Sequence, residues 1–280
     1  MKIAGSVIPV CVIIPCFRCS ATIRRAVDSV FAQSAIPAEI VLVEDCSGDD
    51  TLIALLELER QFPGRIKLVQ MKVNGGAASA RNAGWATTKQ PYIAFLDADD
   101  SWHPEKLHIQ YEYMQSHPEV ALSGHQCVLM RDNEILGLPC APSVSLISSR
   151  SLLFKNAFST TSPIMLKNSM PFRFKEDMRF SEDFLLWLQI AFSGLKVVRI
   201  ETPLSYTYKS MYGESGLSAQ LWKMEKGELS NFSSLYQAGR INLLLLIAAS
   251  CFSIIKFVRR LFFTSLRQAA SPMLRKGGAL

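Results

Sequence analysis

From residue 10 to residue 97, short unbroken apolar runs alternate with stretches of helical spacing. The first run, VCVIIP (10–15), is rich in β-branched residues and reads as a strand buried on both faces. Beyond it, Ile23, Val27, Val30 and Phe31 fall on one face of a helix. EIVLVED (39–45) reads as a second buried strand. DDTLIALLELERQF (49–62) reads as a helix begun at Asp49 or Asp50, and RIKLVQM (65–71) as a third strand. AASARNAGWATT (77–88), entered through Gly75 and Gly76, is a short helix, and YIAFLD (92–97) a fourth strand. This alternation predicts an α/β domain, a mostly parallel sheet flanked by helices. Ligands of such sheets sit beyond the carboxyl ends of the strands, and Cys16, Asp45 and Asp97 all fall at that edge.

The second half is more mixed. VALSGHQCVLM (120–130) and EILGLP (134–139) flank RDN, which reads as a hairpin turn. SRSLLFKNAF (149–158) and EDFLLWLQIAFSG (182–194) read as helices, the latter closing at Gly194, and KVVRIE (196–201) as a further strand. AQLWKMEKGELSNFSSLYQ (219–237) reads as a helix with Leu221, Met224, Leu229 and Phe232 on its apolar face. INLLLLIAASCFSII (241–255) is shorter than the ~20 residues of a spanning helix. Extending it to Phe263 takes in Lys256, Arg259 and Arg260, which are costly at the centre of a bilayer. An interfacial helix leads the readings, with a single span over 241–263 and a core helix as alternatives. The expected division is a catalytic domain over 8–208, a helical connector over 209–240 and an apolar, basic tail over 241–280.

Composition changes this picture in two places. The formal net charge of +6 is carried entirely by Lys256, Arg259, Arg260, Arg267, Arg275 and Lys276, since no Asp or Glu follows them and the preceding residues balance. A basic tail on a neutral body points to an anionic membrane surface, and no basic stripe interleaved with aromatics argues for nucleic acid. The seven cysteines are scattered, which fits a reducing cytosol. CFRC (16–19) has the spacing and setting of a redox dithiol, a rival to the plainer reading of two small residues in a strand-to-helix turn. Lys2 and the apolar residues after it imitate a signal peptide. Pro9 and Pro15 interrupt them, and we read a first strand instead.

The chemistry concentrates at the strand ends. Asp97, Asp99 and Asp100 lie within four positions, where mutual repulsion calls for compensation by a hard cation or by solvation in a helix-capping turn at Asp100 or Ser101. Asp45 ends another strand and is placed to accept a hydrogen bond from a base or ribose. Gly75 and Gly76 open a helix whose amides and dipole favour phosphate. Arg81, on the first turns of that helix, is placed to pair with phosphate or to hold Asp97. Glu182 and Asp183 open a later helix, where the dipole favours an ionised carboxylate, so they read as a general base or as plain N-caps.

In order along the chain, VIIPCF, AVDSVFAQ, EIVLVEDCSGDDT, NGGAASARNAG, YIAFLDADDSWHPEKL and SEDFLLWLQIA resemble the inverting glycosyltransferases of family 2, with the GT-A fold, over residues 10 to 208. The resemblance implies a nucleotide-sugar donor bound by Pro15, Phe17, Asp45, Gly76, Arg81 and Asp97, with Lys209 reaching the diphosphate from a loop. It implies a divalent Mn²⁺ or Mg²⁺ on Asp99, the main ligand, and Asp97. Asp183 becomes the base that takes the acceptor proton, with Glu182 beside it. The C-terminal part resembles bacterial enzymes of O-antigen or capsule synthesis, which implies a lipid-linked glycan acceptor at the cytoplasmic membrane face. Two departures bear on base preference: PCFRC stands where Tyr-Asn commonly follows the proline, and EDCS stands for Asp-Asp-Gly-Ser. The rival classes are a sugar-1-phosphate nucleotidyltransferase, whose Gly-rich basic loop PCFRCSAT does not supply, and a non-catalytic sugar- or lipid-binding module.

Overall fold

A computed structural model describes residues 5–130, 137, 142–158, 160–208 and 220–276, with side chains as far as residue 262. It divides into two compact units, Met1–Tyr208 and Lys209–Leu280. The first unit begins β1 (Val7–Cys16), α1 (Ile23–Phe31), β2 (Ile36–Glu44), α2 (Thr51–Gln61), β3 (Ile66–Gln70), α3 (Gly76–Ala86) and β4 (Tyr92–Phe95). It continues through β5 (Ser101–Trp102), α4 (Lys106–Ser116), β6 (Val120–Leu129), β7 (Val144–Ile147), α5 (Ser149–Phe154), β8 (Met165–Lys167), α6 (Glu182–Phe192) and β9 (Lys196–Thr207). The second unit holds α7 (Leu221–Gln237) and α8 (Leu243–Lys276).

The strands form one sheet in the order β3-β2-β1-β4-β8-β6-β9-β5, with β7 paired to β9. The four strands expected from the apolar runs are the parallel half, β3-β2-β1-β4. β8 turns the sheet antiparallel against both β4 and β6, and β9 returns parallel to β6. Both faces are covered. Val10, Val12 and Ile14 pack with Ile23, Ala26, Val27 and Val30 of α1. On the other face α3 lies so close that a β-carbon at Gly84 would stand 2.7 Å from Ile13 and 2.9 Å from Val43. That contact seats Arg81, one turn earlier, over the end of β4.

Three local expectations change. Asp100 and Ser101 do not cap the helix that follows them. α4 starts at Lys106 after Glu105, and Ser101 and Trp102 instead pair with Tyr206 and Ser205 as β5. β9 runs past the expected KVVRIE because its later residues pair with Gln126–Leu129 of β6 across irregular register. The RDN hairpin falls outside the described residues, as does Lys209.

In the second unit the expected apolar face of α7 is only partly met. Phe232 is buried, but so are Glu225 and Asn231, because the seam with α8 is polar. Lys256 lies 2.8 Å and Arg260 4.0 Å from the Glu228 carboxylate. α8 is one helix of 34 residues. The span over 241–263 is not supported: among the described residues no helix is long and apolar enough to cross a membrane. Any 18-residue stretch near its start takes in Lys256, Arg259 and Arg260.

Candidate active site

The carboxyl edge of the parallel half gathers most of the expected residues. β1 ends at Cys16, with Pro15 inside the strand and Phe17 exposed just beyond it. Arg18 follows with φ 49°, and its amide donates to the Ser47 hydroxyl at 3.1 Å, tying the turn after β1 to the turn after β2. That second turn is folded by Glu44, whose carboxylate accepts from the amides of Cys46 and Ser47 at 3.1 and 2.7 Å. Cys46 has φ 53° and Ser181, before α6, has φ 60°. Among the described residues these are the non-glycine positive-φ positions, and all three border this edge. Strain of that kind persists where surrounding structure over-determines the backbone.

Asp45 is buried at the end of β2. Its two oxygens accept from the amides of Gly75 and Gly76 at 2.7 and 2.8 Å, and Asn74 Nδ2 donates to it at 3.0 Å. Burial pushes its carboxyl above the usual range, and the two amides pull it back. The glycine amides expected to face phosphate therefore face Asp45, and Gly76, at φ 81°, takes a conformation natural to glycine.

Arg81 is buried and bridges two carboxylates, donating to Asp97 Oδ1 at 2.8 Å and Glu182 Oε1 at 3.1 Å. The two anions outweigh burial and keep the guanidinium charged. Of the two expected roles for Arg81, the structure displays the holding of Asp97. Thr161 donates to the same Oδ1 at 2.8 Å, and Ser162 accepts from the Asp97 amide while donating to Asp100 at 2.6 Å. Asp100 thus points inward, where burial first, and Asp97 next, push its carboxyl up to about 8. Asp97 and Asp99 are half-buried at the open side of the turn. Behind it, Arg25 donates to the Asp99 carbonyl at 2.7 Å and lies 3.6 Å over the Tyr208 ring, whose hydroxyl bonds Ser101 at 2.9 Å.

Asp183 sits in the first turn of α6, next to Glu182. Burial foremost, then the Glu182 charge, push its carboxyl up to about 7, against the pull of Arg81 and of the Phe184 amide that it accepts at 2.7 Å. A carboxylate in that range is matched to taking a proton near neutral pH. The CFRC dithiol reading meets buried thiols: burial, and Cys19 beside it, drive the Cys16 thiol well above its ordinary value, which removes the thiolate such chemistry needs. Thr161, Ser162, Arg25 and Tyr208 lie outside the motifs quoted from the chain, and Asn74 stands at the head of NGGAASARNAG, where its side-chain role carried no separate signal.

The donor set at the turn after β4 fits a hard divalent cation. Asp97 and Asp99 offer carboxylate oxygen on the open side, and two carboxylates so close along the chain repel one another in a way a cation relieves. Among the described residues no group of three or more His, Cys, Asp or Glu is placed to hold a metal unaided. Phosphate oxygens and water complete such a site.

The glycosyl transferase family 2 profile matches residues 11–138. An Escherichia coli relative, the UDP-Glc:alpha-D-GlcNAc-diphosphoundecaprenol beta-1,3-glucosyltransferase WfgD, is 31% identical over 181 residues, 65% of this chain and 69% of its own. The chain belongs to glycosyltransferase family 2. The succinoglycan biosynthesis protein ExoO of Rhizobium meliloti is 28% identical over 212 residues, and the match spans 70% of this chain but 59% of ExoO. Among solved structures, the mannosyltransferase PcManGT of Pyrobaculum calidifontis, in complex with GDP-Man and Mn²⁺, superposes with TM-score 0.63 and 18% identity over 98% of this chain and 81% of its own. S. aureus TarS 1-349 in complex with UDP-GlcNAc gives 0.59 and 17% over 80% of this chain and 66% of its own. The fold is GT-A.

Proposed function

We propose that this family 2 member moves a hexose-type sugar from a nucleotide-sugar donor to a hydroxyl of a polyprenyl-diphosphate-linked glycan in bacterial cell-surface polysaccharide synthesis, with inversion at the anomeric carbon. The observation that carries the reading is Arg81, which draws Asp97 from the end of β4 and Glu182 from the start of α6 into one cluster with Asp183. Asp183 takes the proton of the acceptor hydroxyl as that oxygen attacks the sugar, and Glu182, held by Arg81, keeps the Asp183 carboxyl high enough for the task. Arg81 and Thr161 fix Asp97, and the Arg25–Tyr208 pair backs Asp99. Asp45 organises the Gly75–Gly76 turn on which the nucleotide rests. Mn²⁺ or Mg²⁺ on Asp99 and Asp97, when bound, supplies charge neutralisation for the departing diphosphate. The WfgD name, which states a diphosphoundecaprenol acceptor, supports the lipid-linked substrate. The neutral body and basic tail support a place at the inner face of the cytoplasmic membrane.

The test is a thermal-shift panel of UDP, GDP and dTDP sugars with Mn²⁺ and with chelator, on wild type and Asp99→Asn. Ligand binding to the native state raises the melting temperature. A metal-dependent shift with one nucleotide class, lost in the variant, is expected. No shift with any donor overturns the donor site.

A further inference from the structure

α8 leaves most of its apolar side chains exposed. A surface helix in water buries its apolar stripe and shows its polar face. Here charged groups turn toward α7, where Lys256 and Arg260 meet Glu228, and Ala249, Ser253 and Phe257 are the buried side chains of the helix. The solvent side carries Leu244, Ile247, Cys251, Ile255, Val258 and Phe262, spaced by threes and fours along one line. Leu244 is 78% exposed, Ile255 65% and Phe262 62%. At 1.5 Å per residue that line runs for about 27 Å. Trp222 of α7, also exposed, tilts against Phe257 with ring centroids 5.5 Å apart.

Two media accept such a stripe, the acyl boundary of a bilayer or an apolar face of another protein, and charge decides between them. After Glu228 the chain has no Asp or Glu. Its ionised side chains there are Arg240 before the stripe, Lys256, Arg259 and Arg260 beside its later turns, and Arg267, Arg275 and Lys276 beyond. A second copy of this chain, docked stripe to stripe in either direction, would set cations against cations. An anionic headgroup layer offers the opposite charge to the cations that Glu228 does not offset, Arg259 foremost, which is exposed beside the stripe.

We propose that α8 lies flat in the surface of an anionic bilayer, its Leu244–Phe262 stripe sunk to the acyl boundary and Arg259 among the headgroups. Across the α7 seam Glu228 pairs with Lys256 at 2.8 Å and draws Arg260 to 4.0 Å, so its single charge offsets one of these two cations and the trio carries one net positive charge to the membrane. The proposal rests on the lipid-linked acceptor reading for its purpose and on α8 alone for its geometry. It assigns the membrane contact to one face of one helix and makes it independent of donor and metal.

Flotation of the full chain with vesicles tests it, without nucleotide sugar, on phosphatidylcholine alone and with one quarter phosphatidylglycerol, at 0.1 and 0.5 M NaCl. The wild type should bind the anionic vesicles and lose most binding at high salt. Ile255→Glu should lower the partition coefficient at least tenfold. Arg259→Gln should lower it about fivefold on anionic vesicles only, from roughly 1 kcal/mol per cation near such a surface. Both positions are exposed, so melting temperature should stay unchanged. Equal binding by wild type and Ile255→Glu overturns the proposal. So does a concentration-dependent dimer in light scattering that Ile255→Glu turns to monomer without any vesicle binding by the wild type. Sugar transfer to a soluble acceptor in detergent is measured alongside: its failure indicts the proposed function, and its persistence in variants that do not float indicts neither.

Discussion

Replacing Arg81 with methionine isolates the contact on which the candidate site depends. The side chain is buried, and it serves Asp97 at 2.8 Å and Glu182 at 3.1 Å at once. Methionine fills much of the volume but leaves two carboxylates without their cation. Orphaning one partner of a buried pair costs about 3–5 kcal/mol. Here the lower end applies, because the Asp97 side chain retains Thr161 and is 25% exposed, while Glu182 is the more enclosed at 10%. About 3 kcal/mol corresponds to a fall of about 6–12 °C in Tm for a domain near two hundred residues. Calorimetry at pH 7.5 reads the loss, and a cycle with Glu182→Gln reads its cause. The glutamine removes the charge that methionine strands, so the double variant should be more stable than the sum of the singles by about 1–3 kcal/mol. A Tm drop under about 2 °C, or strict additivity in the cycle, would refute the bridge as the organising contact.

Four further outcomes follow from the structure. Asp183, raised to about 7, must be ionised to accept a proton, so kcat/KM should fall about tenfold per unit below pH 7 and flatten above it, and Asp183→Asn should lose about 10²–10⁴-fold in kcat; a profile flat from pH 6 to 8 contradicts the base. By linkage a carboxyl raised in the fold holds its proton more tightly than in the unfolded chain. Its stabilising contribution is therefore full below about pH 4 and lost as pH climbs to about 7, and Asp183→Asn should melt higher than wild type at pH 8. Gly76→Ala meets open space but places a β-carbon at φ 81°, so urea unfolding should show a loss of about 1–2 kcal/mol with a raised donor KM; unchanged stability would mean the turn relaxes. Lys106 is wholly buried, stacked 3.8 Å over Trp102, with no acceptor for its amine among the described residues, and burial drives its pKa well below the ordinary value. Lys106→Met should stabilise by about 1–3 kcal/mol, most at low pH where the buried amine resists charging, and a variant less stable than wild type at pH 6 refutes this.

The parallel half of the sheet was readable because β1, β2 and β4 are buried on both faces, so continuous β-branched runs mark them, and because Asp45, Asp97 and Asp183 end or begin the elements that carry them. What periodicity reports is which face is buried. It does not report what will be found there. Thr161 and Ser162 reach Asp97 and Asp100 from 64 and 62 residues away, and Tyr208 meets an arginine of α1, all by way of a sheet order no local pattern encodes. The same limit explains α7. An apolar face was the natural expectation from Leu221, Met224, Leu229 and Phe232, but its neighbour turns Lys256 and Arg260 inward, and Glu228 answers them.

The acidic residues at the strand ends crowd together for a reason their individual roles do not supply. Asp45, Asp97, Asp99, Asp100, Glu182 and Asp183 share one edge, and Arg81 bridges only two of them. Asp45 is quieted by amides and Asp100 by burial and the Ser162 hydroxyl, which leaves Asp97, Asp99 and Asp183 bordering the open side. A donor diphosphate brought there alone would add anions to an anionic edge. A divalent cation on the proposed Asp97–Asp99 site would offset that repulsion, so metal and nucleotide should bind together better than either alone. Burial foremost, with the Glu182 charge beside it, lifts Asp183 into the range where a carboxylate both releases and takes a proton near pH 7.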